Sequence, residues 1–262
     1  MDDRLLLIER RADGVCRISL NRPEIHNAFD DRLIKTLTDR LVGIGEDRDV
    51  RAVVLTGVGK SFSAGADLNW MRRSADYDEA ENLADARALA KLMTTLSQLP
   101  KPTVARVNGT ALGGGVGLVC CCDIAIAADH ATFGITEVRL GIIPSVIGPY
   151  VIAAMGARQA GRFVLTGERF DAVEAMRLGV VHQIAPMAAL DQSVEACLQH
   201  LLAGGPKAVT AAKELVRDLA GQPVSPGLVD ETAKRIAALR VTPEAREGLG
   251  AFLDKRRPSW RC

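Results

Sequence analysis

An α/β fold built largely on parallel strands is what this sequence predicts, and three observations carry the prediction. A strand-strand-helix succession opens the chain, begins again at residue 51 and starts a third time after Pro102. Glycine-containing turns stand where strands hand over to helices, at 63–68 and 112–117. β-branched runs alternate with Ala/Leu-rich helical segments, as in layered α/β architectures and not in all-β or all-α ones. The 262 residues suit one large domain, or one with an appendage, and can bury a substantial core.

Taken in order, Leu5 to Arg10 and Val15 to Leu20 are β-prone runs joined through Asp13-Gly14, a dipeptide that favours the primed turns of hairpins. Pro23 closes the second strand, Asn27 or Asp30 caps a helix, and Leu33, Ile34, Leu37 and Leu41 recur at helical spacing. RAVVLTG at 51–57 reads as a buried strand, followed by a loop to Gly65 and a long helix over 80–99. After Pro102 come the strand TVARVNG, a glycine-rich turn, a short apolar helix through Cys122, a strand over 123–128 and another near 132–135. From Ile147 the pattern turns helical. Val181 to Ile184 is the last predicted strand, and 208–219, 229–239 and 243–255 are amphipathic. A boundary near residue 190 divides a core at 1–190 from a helical region at 191–262.

Composition narrows the function classes. With 33 basic and 32 acidic residues the net charge is +1, and aromatics make up 4%, so neither a polyelectrolyte partner nor base stacking is expected, and no nucleic-acid role follows. The apolar run ALGGGVGLVCCC at 111–122 is shorter than the roughly 18–20 residues a membrane span needs. The start Met1-Asp2-Asp3-Arg4 lacks the basic and apolar regions of a secretory leader. Cysteines at 16, 120, 121, 122, 197 and 262 form no CxxC pair and read as reduced packing residues of a cytoplasmic protein. His26, His130, His182 and His200 stand alone, without metal-ligand spacing, so no metal is expected.

Three familiar motifs nearly fit and fail. Gly59-Lys60-Ser61 resembles the end of a phosphate-binding loop, but the required upstream glycine is Val54. GGGVG at 113–117 would need glycine at Leu118 or Cys120 to be a dinucleotide fingerprint. Ser63 lacks the glycine two positions upstream that a nucleophile elbow needs, since Ser61 is there. What remains are the turns SAGADL at 63–68 and LGGGVG at 112–117. Each follows a strand and precedes a helix, so each can present free backbone N–H groups to an oxygen that becomes negative. Ordinary strand-to-helix connections have the same spacing.

Several separated segments together resemble the crotonase, or enoyl-CoA hydratase/isomerase, superfamily. They are LNRPEIHNAF at 20–29, FSAGADL at 62–68, KPTVARVNGTALGGGVGL at 101–118, CDIAIAADHATFG at 122–134, EVRLGIIPS at 137–145 and FLDKRRPSW at 252–260. The resemblance implies a spiral of ββα units with a helical C-terminal region that assembles trimers or dimers of trimers. It implies an acyl-CoA thioester as ligand, with coenzyme A as part of the substrate and no further cofactor. The amides of Ala66 and Gly114 would form the oxyanion hole. Arg22, Asn27 and Ala28, the stretch Ala64, Asp67 and Leu68, and Lys255 supplied by a neighbouring subunit would contact the substrate.

Two-carboxylate hydratases of this family carry glutamates at positions that are Gly117 and Glu137 here. Glu137 therefore becomes the principal acid/base candidate. The segments AGADLNWM, CCCDIAIA and LTGERFDA resemble bacterial hydratases of 3-methylglutaconyl-CoA in leucine breakdown, and similarly those of isohexenylglutaconyl-CoA in acyclic terpene breakdown. Both substrates carry a carboxylate of their own, which a second site carboxylate would repel by about 1 kcal/mol at 4 Å in water and about 4 at an effective dielectric of 20. Gly117 would relieve that repulsion and open space in the substrate pocket. Arg139, Arg72 or Arg73 would receive the substrate carboxylate. A Δ3,Δ2-enoyl-CoA isomerase working through a lone glutamate is the competing enzyme, and a catalytically silent acyl-CoA-binding protein is the competing class.

Overall fold

The computed structural model describes residues 4–261. Cys262 and the first three residues, on which the expected absence of a leader rested, lie outside the described residues. The chain opens with the hairpin β1 (Leu6–Arg10) and β2 (Val15–Leu20), then α1 (Asp31–Glu46), β3 (Ala52–Gly57) and β4 (Ser61–Ser63). Helices α2 (Leu68–Ser74) and α3 (Glu79–Ser97) follow, then β5 (Thr103–Val107), β6 (Thr110–Leu112), α4 (Gly114–Cys121), β7 (Ile124–Ala128) and β8 (Thr132–Gly134). The second half runs α5 (Gly148–Met155), α6 (Ala157–Thr166), β9 (Arg169–Asp171), α7 (Ala172–Arg177), β10 (Gln183–Ala185), α8 (Leu190–Ala203), α9 (Pro206–Leu219), α10 (Pro226–Arg240) and α11 (Pro243–Leu253).

Two sheets result. The larger has the order β1-β2-β3-β5-β7-β10 and is parallel apart from the β1/β2 hairpin. Its central strands are buried on both faces, as parallel strands under helices must be. Val53 and Leu55 of β3 face α1 and α3, whereas Ala52 and Val54 face Leu190, Val194 and Leu198 of α8. Arg106 donates bidentately to Asp191, at 2.7 and 2.9 Å, and ties α8 to β5. Packing on the sheet thus continues through α8, past residue 190. Beyond it, Lys213 pairs with Asp123 at 2.8 Å and Arg51 donates to the carbonyl of Trp260 at 2.9 Å.

The smaller sheet, β4-β6-β8-β9, has three-residue strands. Sequence reading finds only β8 among these. The span to Gly65, expected as a loop, contains β4, and β6 and β9 are likewise absent from the expectation. The first hairpin also differs. Three residues, not two, close it, with Gly14 at φ +87° and its N–H on the Arg11 carbonyl. A glycine in the left-handed region at the end of a longer loop does the work assigned to a primed turn. The helix after Pro23 is capped by Asp30, whose carboxylate accepts from Leu33 N–H at 2.8 Å, and not by Asn27.

Candidate active site

The two glycine-containing turns meet because β4 and β6 are parallel neighbours, Ser61 opposite Thr110 and Ser63 opposite Ala111. Their chains leave the same end of the small sheet. Side chains would hold them apart: a Cβ on Gly65 would lie 3.0 Å from the Leu112 carbonyl oxygen, and one on Gly115 would lie 2.4 Å from that of Ser63. Helix α2 then starts behind Asp67, whose carboxylate accepts from Asn69 and Trp70 N–H. Helix α4 starts behind Gly113, at φ +50° and ψ −121°.

Among the described residues, neither the N–H of Ala66 nor that of Gly114 donates to a protein acceptor. Ala66 is exposed and Gly114 half-buried, so both donors are available to a ligand. The chain then continues from β8 into the short 3-10 turn Glu137–Leu140, which places the Glu137 carboxyl against the second turn. A Cβ on Gly113 would lie 3.2 Å from Glu137 Oε1. Oε2 of Glu137 is buried and has no hydrogen-bond partner among the described residues. Burial raises the pKa of this carboxyl above the usual glutamate value, against a smaller lowering by the backbone of Glu137 and Thr136. Two unpaired amide donors and a partly desolvated carboxyl are thereby grouped together. Such an arrangement can stabilise a developing oxyanion while a proton moves.

The flanking candidates serve the scaffold. Arg22 donates to the Ala28 carbonyl at 2.8 Å and pairs with Asp67 at 2.9 Å and Asp30 at 3.1 Å. Burial pushes the Asp67 carboxyl up, but the amides of Asn69 and Trp70 and the Arg22 guanidinium outweigh it and hold the pKa below the usual range. Asn27 is fully buried, accepting from Arg22 N–H at 2.9 Å and donating to the carbonyls of Val58 and Ser61. The side chains of Arg22, Asn27 and Asp67, expected as substrate contacts, are thus consumed by one another and by the backbone. Ala28 is buried, and Ala64 donates its N–H to the His26 carbonyl. Leu68, 70% exposed, stands open at the start of α2. Lys255, exposed at φ +54°, follows α11.

Gly117 requires a correction. Far from opening space, it is buried in α4, and a Cβ there would lie 2.3 Å from Ile147 Cγ2 and 3.2 Å from Met93 Cε. Ile147 and Met93 fill the volume expected to be free, and neither was singled out in the sequence. Of the three arginines expected to meet a substrate carboxylate, Arg73 donates to Asp31 and Arg72 to Asn69. Arg139, on the same turn as Glu137 and exposed, has no acidic partner among the described residues. The thiols of Cys120 and Cys122 are pushed up to about 12 by burial, and that of Cys121 is raised further. Burial suits them to packing and disfavours the thiolate. His182 accepts from Ala125 N–H and His26 contacts Ser61 Oγ, both structural bonds.

With fold and site in view, comparison with known proteins defines the class. The sequence pattern of the enoyl-CoA hydratase/isomerase family matches residues 10–262. A relative from Thermus thermophilus is 36% identical over 257 residues, covering 96% of this chain and 99% of its own. The 2,3-dehydroadipyl-CoA hydratase of Escherichia coli K12 is 35% identical over 259 residues, covering 97% and 98%. The crystal structure of an enoyl-CoA hydratase from Shewanella pealeana superposes with a TM-score of 0.95 at 43% identity, covering 99% of this chain and 97% of that one. The chain belongs to the enoyl-CoA hydratase/isomerase family. Its activity class is that of a hydratase-type lyase.

Proposed function

We propose that this protein hydrates an enoyl-CoA bearing a second carboxylate, 3-methylglutaconyl-CoA first among them, to give 3-hydroxy-3-methylglutaryl-CoA. The observation that carries the hydration chemistry is the Glu137 carboxyl, whose Oε2 is buried without a partner among the described residues, beside the free amides of Ala66 and Gly114. The thioester carbonyl accepts from both amides. Glu137 takes a proton from water as its oxygen bonds to C3, and the C2=C3 electrons move onto the thioester oxygen as an enolate. Collapse of the enolate returns that proton to C2, from Glu137 or through a water it relays. Water is added with no other reactant consumed.

Two observations support a carboxylated substrate. Arg139, two residues along the turn from Glu137, is a cation without an acidic partner among the described residues, and the relative from Escherichia coli is named for a dehydroadipyl thioester, whose acyl chain ends in a carboxylate. Replacing Arg139 by Gln should raise KM for 3-methylglutaconyl-CoA by about tenfold, the worth of one charged hydrogen bond, and leave KM for crotonyl-CoA within about twofold. Equal effects on both thioesters would remove Arg139 from the carboxylate's site.

The test of function is loss of enoyl-thioester absorbance with product mass in ¹⁸O-labelled water, on 3-methylglutaconyl-CoA, isohexenylglutaconyl-CoA and crotonyl-CoA. Fast label uptake on the first supports the reading, and preference for the second moves the protein to terpene breakdown with the mechanism intact. Double-bond movement without label would promote the isomerase, which the single carboxylate of this site favours. Assembly belongs to the same proposal. Val216, Ile236, Leu249, Phe252 and Leu253 on the last three helices are 48% to 80% exposed, an apolar surface suited to further copies of the chain, in a trimer or a dimer of trimers. Lys255 would then serve a neighbour's substrate.

A further inference from the structure

We propose that Phe29 is the positioning residue that sets the spacing between the two amide donors, an inference that rests on the acyl-CoA reading above. Phe29 is 1% exposed, and its backbone forms a parallel bridge with Ala66. Its N–H donates to the Gly65 carbonyl at 2.6 Å, and its carbonyl accepts from Asp67 N–H at 2.7 Å. In a parallel bridge of this kind the residue between the two bonded positions turns its own N–H to the opposite side. That geometry points the Ala66 donor away from Phe29 and leaves it without a protein acceptor.

The ring of the same residue meets the other donor. A Cβ on Gly114 would lie 2.7 Å from Phe29 Cε2 and 3.0 Å from Cδ2, so the ring edge limits how closely the Gly114 backbone can approach. One side chain and its own peptide groups thus touch both halves of the donor pair. The residues around the bridge are pinned in turn. Arg22 holds the Ala28 carbonyl, Asp30 and Asp67, which flank Phe29 on one strand and Ala66 on the other. The mutual bonding of Arg22, Asn27 and Asp67 within the scaffold acquires a purpose: they brace the bridge, and Phe29 transmits that bracing to Gly114.

The experiment uses the full-length protein with ¹³C-carbonyl butyryl-CoA, a saturated thioester that cannot be hydrated, and reads the bound carbonyl stretch by difference infrared spectroscopy beside crotonyl-CoA kinetics. In the unaltered protein the stretch moves to lower frequency on binding. Phe29→Leu keeps the backbone bridge and removes the ring. It should lose most of that shift and lower kcat by about 10- to 100-fold, part of the 10²–10³ that losing a whole donor costs, with KM changed less than about threefold. Phe29→Met, which keeps more of the volume, gives the same reading if the Leu variant folds poorly by circular dichroism. Gly114→Ala should be severely impaired alone and faster in the Phe29→Leu background, where the methyl enters the vacated space. A full carbonyl shift in both Phe29 variants, or equal impairment of Gly114→Ala in both backgrounds, would overturn the proposal. Absence of any shift in the unaltered protein would instead sink the acyl-CoA reading.

Discussion

Replacing Glu137 by Gln lowers kcat for hydration by about 10³-fold, within the span that a positioned acid/base group contributes, and at the same time raises Tm at neutral pH. The two effects share one cause. Oε2 of Glu137 is buried with no partner among the described residues, and burial raises the pKa of the carboxyl. For a carboxyl whose folded pKa lies above its unfolded one, the folded state binds more protons between the two values, so stability falls as pH rises through that window. Below the unfolded pKa the penalty is absent; above the folded pKa it is complete. The amide should therefore stabilise the protein at pH 7 and confer little at pH values below the ordinary glutamate range. Hydration by the unaltered protein needs the charged base, so its rate should rise with pH through the raised pKa. Thermal melts of both proteins across pH, with stopped-flow enoyl-thioester absorbance, check both statements, and acyl-CoA affinity should be retained. A variant of unchanged or lower Tm at pH 7 would mean that the carboxylate finds partners in solution.

Gly117→Glu damages the protein on every substrate alike, because it fails in the core before it can act in the site. Its Cβ would lie 2.3 Å from Ile147 Cγ2, and Ile147 is 2% exposed. Overpacking costs about 1–3 kcal/mol, and a carboxylate without a partner among Ile147 and Met93 adds several more. Against a typical total of about 5–15 kcal/mol the loss is severe, corresponding to a fall in Tm of roughly 10–15 °C. Ile147→Ala in the same chain should recover part of it, since the removed methyls are those in collision. Melting curves and crotonyl-CoA against 3-methylglutaconyl-CoA rates decide the matter. Wild-type Tm with selective loss on the carboxylated thioester would restore the view that Gly117 faces open substrate space.

Much of the architecture is legible in the sequence because it is written in runs long enough to show a period. Leu33, Ile34, Leu37 and Leu41 mark one face of α1, and all four are buried. The six residues of β3 are apolar or small, and all six are buried. The strands of the smaller sheet are different. Three residues cannot display an alternation, so β4 and β6 exist only through their pairing with each other and with β8. Those strands bring the two turns together, which is why glycine and position alone could suggest the turns, while their meeting was implied only by the family resemblance.

The same division runs through the side chains. Arg22, Asn27 and Asp67 stand in a segment whose residue types suggest ligand contact, yet their partners lie from 5 to 45 positions away, and only folding decides that they bind each other. Residue types and order determined by themselves the α/β class, the family, the lone carboxylate at Glu137 and the two turns able to offer amides, because these depend on local propensity and on motifs contiguous in the chain. Tertiary structure alone decided that Glu137 has one carboxyl oxygen buried, that Ile147 closes the space beside Gly117 and that Phe29 touches both donors. Burial and steric contact between residues far apart in the chain are properties of packing, and no local pattern encodes them.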